Sequence, residues 1–237
     1  LNASQNKKTK FVDLGLIDYK QAWDYQTNLF QSILDVKTEN RINNTQLPTD
    51  NYLLFCEHPH VFTLGKSGEE QNLLVKKEDL HTIEATYYHS NRGGDITYHG
   101  PGQLVVYPVI DLENFFTDIH QYMRLLEESV IQTLKEFNIS AGRIKGLTGV
   151  WLDSELETTA RKICALGVKT SRWVTLHGLA FNVNSHLEYF GYIVPCGIQD
   201  KAVTSLEKEK GSAQDFQLVK SILKDKLANL FEMEIVN

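Results

Sequence analysis

The 237-residue sequence predicts an α+β fold, a single domain whose mixed, largely antiparallel central sheet is flanked by helices. Three observations predict it. Apolar runs of strand length crowd the middle of the chain and follow one another directly, which favours antiparallel neighbours. Separate segments near the start, middle and end carry apolar residues at helical spacing. No internal repeat and no linker rich in Pro, Gly or Ser divides the chain. Residues 1–237 therefore read as one domain, near the upper end of the usual size range.

Taken in order, LNASQNKKTK (1–10) is polar, without the apolar centre of a signal peptide, and is expected to fray. Residues 18–37 place Ala22, Tyr25, Leu29, Ile33 and Val36 at helical spacing, with Asp18 able to cap them. The polar stretch that follows, TENRINNTQLPTDN, is a loop. NYLLFCEHP is a short strand ending before Pro59, HVFTLG is a second strand or an extended piece closed by Gly65, and residues 66–79 are a mobile polar connection with little core material. EATYYHS delivers the chain into a Gly-rich turn. GQLVVYPVIDL is a long strand, and its Pro108 predicts a bulge or an edge near its end. Residues 118–139 form the strongest helix, with Tyr122, Leu125, Leu126, Val130, Leu134 and Phe137 on one face. GVWLD and KICALGV make a hairpin around SELETTAR, WVTLHGLAFNV is a further strand, and a last helix lies near SAQDFQLVKSILKDKLANLF, with Asp215 in its first turn favouring the helix dipole.

A formal charge of −6 argues against nucleic acid as a partner, and no apolar run approaches the ~20 residues that span a bilayer. Three cysteines without a CxxC pair argue against a disulfide framework or thiolate zinc site and suit a reducing cytoplasm. Arg143, Lys145, Arg161, Lys162, Lys169 and Arg172 are close in sequence and read either as solvated strand ends or as a basic rim for an acidic partner.

The chemistry concentrates in three places. Cys196 sits in a Pro-Cys-Gly turn, whereas Cys56 and Cys164 lie in apolar strands and look structural. A free thiol is only a few per cent thiolate at neutral pH, so a nucleophilic Cys196 needs a neighbouring cation or base. Lys162 is the candidate, because it opens the apolar run ICALGV; the alternative is a strand-end lysine pointing to water. The run RGGDITYHGPGQ brings glycine backbone close to a ligand and matches neither the phosphate loop nor the dinucleotide pattern. Arg92 could bind an anion or form a structural ion pair. His99 and His177, both before glycines, are candidate bases or satisfied structural histidines. His58 and His60 flank Pro59 without a third ligand nearby, so no metal and no cofactor is expected.

The segments EHPHVFTLG, RGGDITYHGPGQLVVYPV, GRIKGLTGVWLD, KICALGVKTSRWVTLHGLAFNV and PCGIQDKAVTSL, in this order, closely resemble the lipoyl(octanoyl) transferases. One departure is His60, where a proline is usual. The resemblance implies a biotin/lipoate protein ligase-like fold and transfer of an octanoyl group from acyl carrier protein to a lysine. The implied acceptors are lipoyl domains of 2-oxoacid dehydrogenase complexes and the glycine cleavage H protein. It implies that Cys196 carries the acyl thioester and that Lys162 tunes it. It places the acyl pocket at Arg92, Gly93, Gly94, Asp95, Ile96, Thr97, Tyr98 and His99, at Ala165, Leu166 and Gly167, and at Gly178, Leu179 and Ala180. The small residues of the last two groups would open a slot for the alkyl chain. The competing readings are an ATP-dependent lipoate or biotin protein ligase, which needs no nucleophilic cysteine, and a non-catalytic acyl-binding protein.

Overall fold

The computed structural model describes residues 5–156, 158–194 and 202–236. The chain runs through β1 (Lys8–Leu16), α1 (Tyr19–Asn43), β2 (Asn51–Glu57), β3 (Val61–Leu64), β4 (Thr86–His89), β5 (Thr97–His99) and β6 (Gln103–Val109). It continues with α2 (Ile119–Glu136), β7 (Gly142–Ile144), β8 (Leu147–Leu152), β9 (Arg161–Ser171) and β10 (Val174–Asn182). It closes with β11 (Ala202–Val203), α3 (Leu206–Lys210), α4 (Phe216–Phe231) and β12 (Glu234–Val236). Among the described residues, nine strands form one sheet in the order β12-β1-β2-β6-β10-β9-β8-β7, with β11 beside β9, and β4-β3-β5 form a small second sheet. The main sheet is antiparallel from β2 to β7, while β1 runs parallel to both β2 and β12. The expected mixed, largely antiparallel sheet with flanking helices is what forms.

Helices cover both faces, which explains why the central strands read as unbroken apolar runs rather than as alternation. Along β2, Leu53 and Phe55 join a core that also holds Tyr122, Leu126 and Leu134 of α2 and Leu223 and Leu227 of α4. Leu54 and Cys56 join the opposite core, with Ala22, Phe30 and Ile33 of α1. Strand β6 divides the same way, Leu104 and Val106 to one face, Val105, Tyr107 and Val109 to the other. A third cluster, under the small sheet, gathers Phe62, Leu64, Ile96 and Tyr98 against Ile193. No helix among the described residues is long and apolar enough to cross a membrane.

Capping sets the helix starts, at Asp18 as the sequence suggests and at Asp215 in place of the first-turn position expected for it. Asp18, Asp118 and Asp215 each accept two backbone N–H groups of the first turn. Other expectations need correction. The N-terminal segment does not fray through residue 10, because β1 begins at Lys8 and pairs with both β2 and β12. Helix α1 runs six residues beyond Lys37, since nothing before Asn44, the left-handed residue that ends it, disrupts the turns. Its buried face is Tyr19, Ala22, Gln26, Phe30, Ile33 and Leu34, which leaves Tyr25 38% exposed. Pro108 marks neither an edge nor a bulge against β2, where it lies opposite Leu53. It sits just beyond the point where the β6–β10 ladder ends at Val106, so its missing N–H breaks no bond there, and the Thr175 hydroxyl donates to its carbonyl at 2.8 Å.

Gly178 shows how tightly β10 crosses this point. A Cβ there would collide with the Val106 carbonyl oxygen and come within 2.8 Å of Pro108 Cδ. Gly178→Ala is expected to lower stability by about 2–3 kcal/mol, read as a lower urea midpoint at unchanged slope.

Candidate functional site

A cavity of about 510 Å³ opens between the main sheet and the small sheet, within the size range of small-molecule sites. Every pocket residue named from the sequence lines it, except Tyr98, and so does Lys162. Strand β5 explains the exception. Successive side chains alternate, so Thr97 and His99 face the cavity while Tyr98 turns into the third cluster. There its hydroxyl meets His60 Nδ1 at 2.7 Å, and the His60 ring stacks on Tyr189 at 4.0 Å. His58 turns elsewhere, with Nδ1 2.8 Å from the Ile17 carbonyl and Nε2 2.8 Å from the Tyr107 hydroxyl. The two histidines beside Pro59 therefore serve different clusters.

Segment 66–79 is not a loose connection. The N–H groups of Gly65, Lys66 and Ser67 donate to the carbonyls of Asp95, Arg92 and Gly94, and Leu73 bridges Ile193. Leu73 and Val75 supply the core material that its polar composition hides. The Gly-rich turn is thereby clamped along one edge. Arg92 is buried within it, donating to the Thr63 hydroxyl through Nε and Nη2, to the Thr63 carbonyl, and to the Gly93 carbonyl at 3.0 Å.

Both candidate bases prove to be held by hydrogen bonds. His99 Nδ1 lies 2.7 Å from Gln103 Oε1, and His177 Nε2 lies 2.7 Å from Asn91 Oδ1. Burial first, then neighbouring charge including the Arg92 guanidinium, pushes the pKa of each down to about 3. Burial pushes His58 down to about 4. Burial raises the Cys56 and Cys164 thiols far above the ordinary range, in keeping with their structural appearance in the sequence.

Lys162 is the second residue of β9, half-buried, and lines the cavity. It pairs with Trp151 of β8 on one side of β9 and with Val203 of β11 on the other. Its ammonium lies 4.6 Å from the centroid of the Trp151 ring. Cys196, with Pro195, Gly197 and Ile198, lies outside the described residues. The described chain stops at Val194, whose N–H donates to the Asn72 carbonyl, and resumes at Ala202, opposite Arg161.

Gly167 and Gly178 line the cavity with no room for a side chain: a Cβ on Gly167 would come within 2.9 Å of the Gly93 carbonyl oxygen and 3.1 Å of Arg92 Cδ, and one on Gly178 would meet β6. Two members of the basic rim are ion-paired among the described residues. Arg143 pairs with Glu127 and Glu128, Arg161 with Asp153 and Glu209, while Arg172 donates to Thr38. Trp151 and Tyr107 line the cavity without having been singled out in the sequence, where each is one more apolar residue in a strand. Only the ladder register distinguishes them.

The family described as the lipoyl protein ligase A/B catalytic domain matches residues 18–228. An octanoyltransferase of Cytophaga hutchinsonii is 57% identical over 239 residues, covering 100% of this chain and 98% of its own. One of Flavobacterium johnsoniae is 58% identical over 232 residues, covering 98% and 100%. Among solved structures, a lipoate-protein ligase A bound with ATP superposes with a TM-score of 0.70 at 15% identity, covering 97% of this chain and 90% of its own. A bipartite lipoate protein ligase from Thermoplasma acidophilum gives 0.64 at 15% identity, covering 97% and 88%. At that identity the likeness concerns the fold.

The three depressed histidines make a prediction about acid. A histidine held neutral in the folded chain takes up protons on unfolding, so its contribution is lost as pH falls from about 6.5 towards its folded value. The slope is up to about 1.4 kcal/mol per pH unit for each such histidine. His177→Asn removes one of them and keeps a residue tolerant of the left-handed backbone at φ 62°. Urea unfolding between pH 6.5 and 4.5 is expected to show a slope shallower by about 1 kcal/mol per unit in the variant.

Proposed function

The chain belongs to the lipoyl protein ligase A/B catalytic-domain family, and on that footing we propose that it is an octanoyltransferase that works through a cysteine thioester. The single observation that carries the mechanism is Lys162, set in the wall of the cavity beside the strand to which the chain returns at Ala202. End-to-end similarity to octanoyltransferases supports the acyl group. The donor in this reading is octanoyl-acyl carrier protein. The acceptors are lysines of lipoyl domains in 2-oxoacid dehydrogenase complexes and of the glycine cleavage H protein. A reducing cytoplasm suits the catalytic thiol.

The reaction runs in two halves. Lys162 accepts the Cys196 proton, and the thiolate attacks the carbonyl carbon of the donor thioester. The tetrahedral intermediate collapses with cleavage of the bond to the carrier sulfur. That sulfur leaves with the proton held by Lys162, and the octanoyl group remains on Cys196. In the second half an acceptor lysine attacks as a neutral amine and gives its proton to Lys162. The Cys196 thiolate is the leaving group, and the product is an amide. The imidazoles of His99 and His177, kept neutral by burial, bind and shape rather than carry the proton. Burial of the alkyl tail contributes about 0.8 kcal/mol per methylene, which selects chain length coarsely.

Intact mass after mixing with octanoyl-loaded acyl carrier protein tests this directly. Wild type is expected to gain one octanoyl group, which a lipoyl-domain acceptor then discharges, and Cys196→Ser is expected to gain none. Lys162→Ala is expected to slow transfer at neutral pH by about 100-fold or more. Acceptor labelling that required ATP and free octanoate would establish a ligase instead; adduct-free binding would leave an acyl carrier without catalysis.

A further inference from the structure

We propose that Trp151 is a positioning residue for the transfer reaction, its ring face holding the Lys162 ammonium in a geometry created by a one-residue bulge at Ile163. The inference rests on the reading of Lys162 as the group that exchanges protons with Cys196.

The register shows what the bulge does. On β8 and β9, Val150 pairs with Cys164, but the next pair is Trp151 with Lys162, so Ile163 is the extra residue. An unbroken ladder would pair Trp151 with Ile163 and Lys162 with Leu152. Leu152 and Ile163 both belong to the main core. Cross-strand partners share a face, so the regular register would send the lysine towards that core. The bulge turns it to the Trp151 face, which lines the cavity.

Two observations say why a tryptophan stands there. The ammonium lies 4.6 Å from the ring centroid, inside the ~6 Å at which a cation is attracted to an aromatic face. Trp151 is only 2% exposed, and its Nε1 has no hydrogen-bond partner among the described residues. A buried indole N–H usually finds an acceptor, and leaving it without one is costly. What the indole presents to the lysine at this position is its large π face. The lysine stem is confined from below as well. A Cβ on Gly149, whose φ is 123°, would come within 3.3 Å of Lys162 Cε and 2.7 Å of the Cys164 carbonyl oxygen. The Gly149 N–H donates to Glu127 at 3.0 Å, and the wholly buried Glu127 carboxylate is held in turn by Arg124 and Arg143.

The test is the pH dependence of Cys196 alkylation by iodoacetamide, with Cys196→Ser as the blank, together with KM and kcat for octanoyl transfer. A ring that holds the ammonium favours the Lys162–Cys196 ion pair, so its loss moves the alkylation midpoint upward. Trp151→Leu is expected to raise the midpoint by about 0.5 unit or more and to lower kcat about tenfold with KM little changed. Trp151→Phe, which keeps a ring, is expected to recover most of both. A midpoint unmoved in Trp151→Leu but raised in Lys162→Ala overturns the role of Trp151 and leaves the lysine reading intact. A midpoint unmoved in Lys162→Ala overturns both. Should Trp151→Leu fail to fold, trifluorotryptophan in a Trp23→Phe, Trp173→Phe background weakens the ring face at constant shape. The midpoint must then rise against the unfluorinated protein, and an unchanged midpoint overturns the proposal.

Discussion

A lysine set between β8 and β11 in the body of a sheet constrains much of what surrounds it. A half-buried cation beside an apolar run needs its direction set by its neighbours. The chain meets the demand with backbone geometry. The extra residue at Ile163 turns Lys162 to the cavity face, and the Trp151 ring lies against its ammonium. Gly149 gives its stem room at a backbone angle that other residues rarely adopt. The Glu127 carboxylate ties that glycine to α2, and two arginines balance the charge of the carboxylate. The basic residues that look like a docking rim in the sequence are partly the counterions of this scaffold.

Arg92, which is buried, shapes another part of the cavity wall. Its guanidinium is committed to Thr63 and to the Gly93 carbonyl, so it fixes the shape of the Gly-rich turn. Its charge adds to burial in disfavouring protonation of His99 and His177. Two imidazoles that could compete as bases are thereby kept as neutral hydrogen-bonding groups, which leaves the proton traffic of the proposed reaction to Lys162 and Cys196.

Much of this was legible in the sequence, for identifiable reasons. Asp18 marks a helix start because a short carboxylate satisfies first-turn N–H groups, a role the structure extends to Asp118 and Asp215. The runs around Leu53 and Val105 declare central strands because both of their faces are buried. The pocket motifs do converge on one cavity. What stayed hidden depends on partners distant in sequence. Strand β1 is held by β2 and by β12, more than 200 residues away, so its polar composition says little. Tyr98 stands inside a pocket motif, yet alternation along β5 turns it away. The importance of Trp151 depends on a register shift that composition does not carry.

The glycines of the pocket carry the argument to chain length. Gly167 and Gly178 suggest width, but the space a side chain would fill is already taken, by Gly93 and Arg92 in one case and by Val106 and Pro108 in the other. Backbone packed against backbone sets these walls. A wall of that kind cannot be trimmed, because glycine has nothing left to remove, and it cannot yield without breaking the β6–β10 contact or the clamp on the Gly-rich turn. Discrimination between acyl chains must therefore come from the depth of the cavity and from side chains that can change rotamer. At about 0.8 kcal/mol per buried methylene, a chain one carbon short loses only a few-fold in binding. Sharper selection against longer chains would require a rigid end to the slot, and side chains such as Val105 and Tyr107, fully packed in the α1-side core, are the kind that supply one.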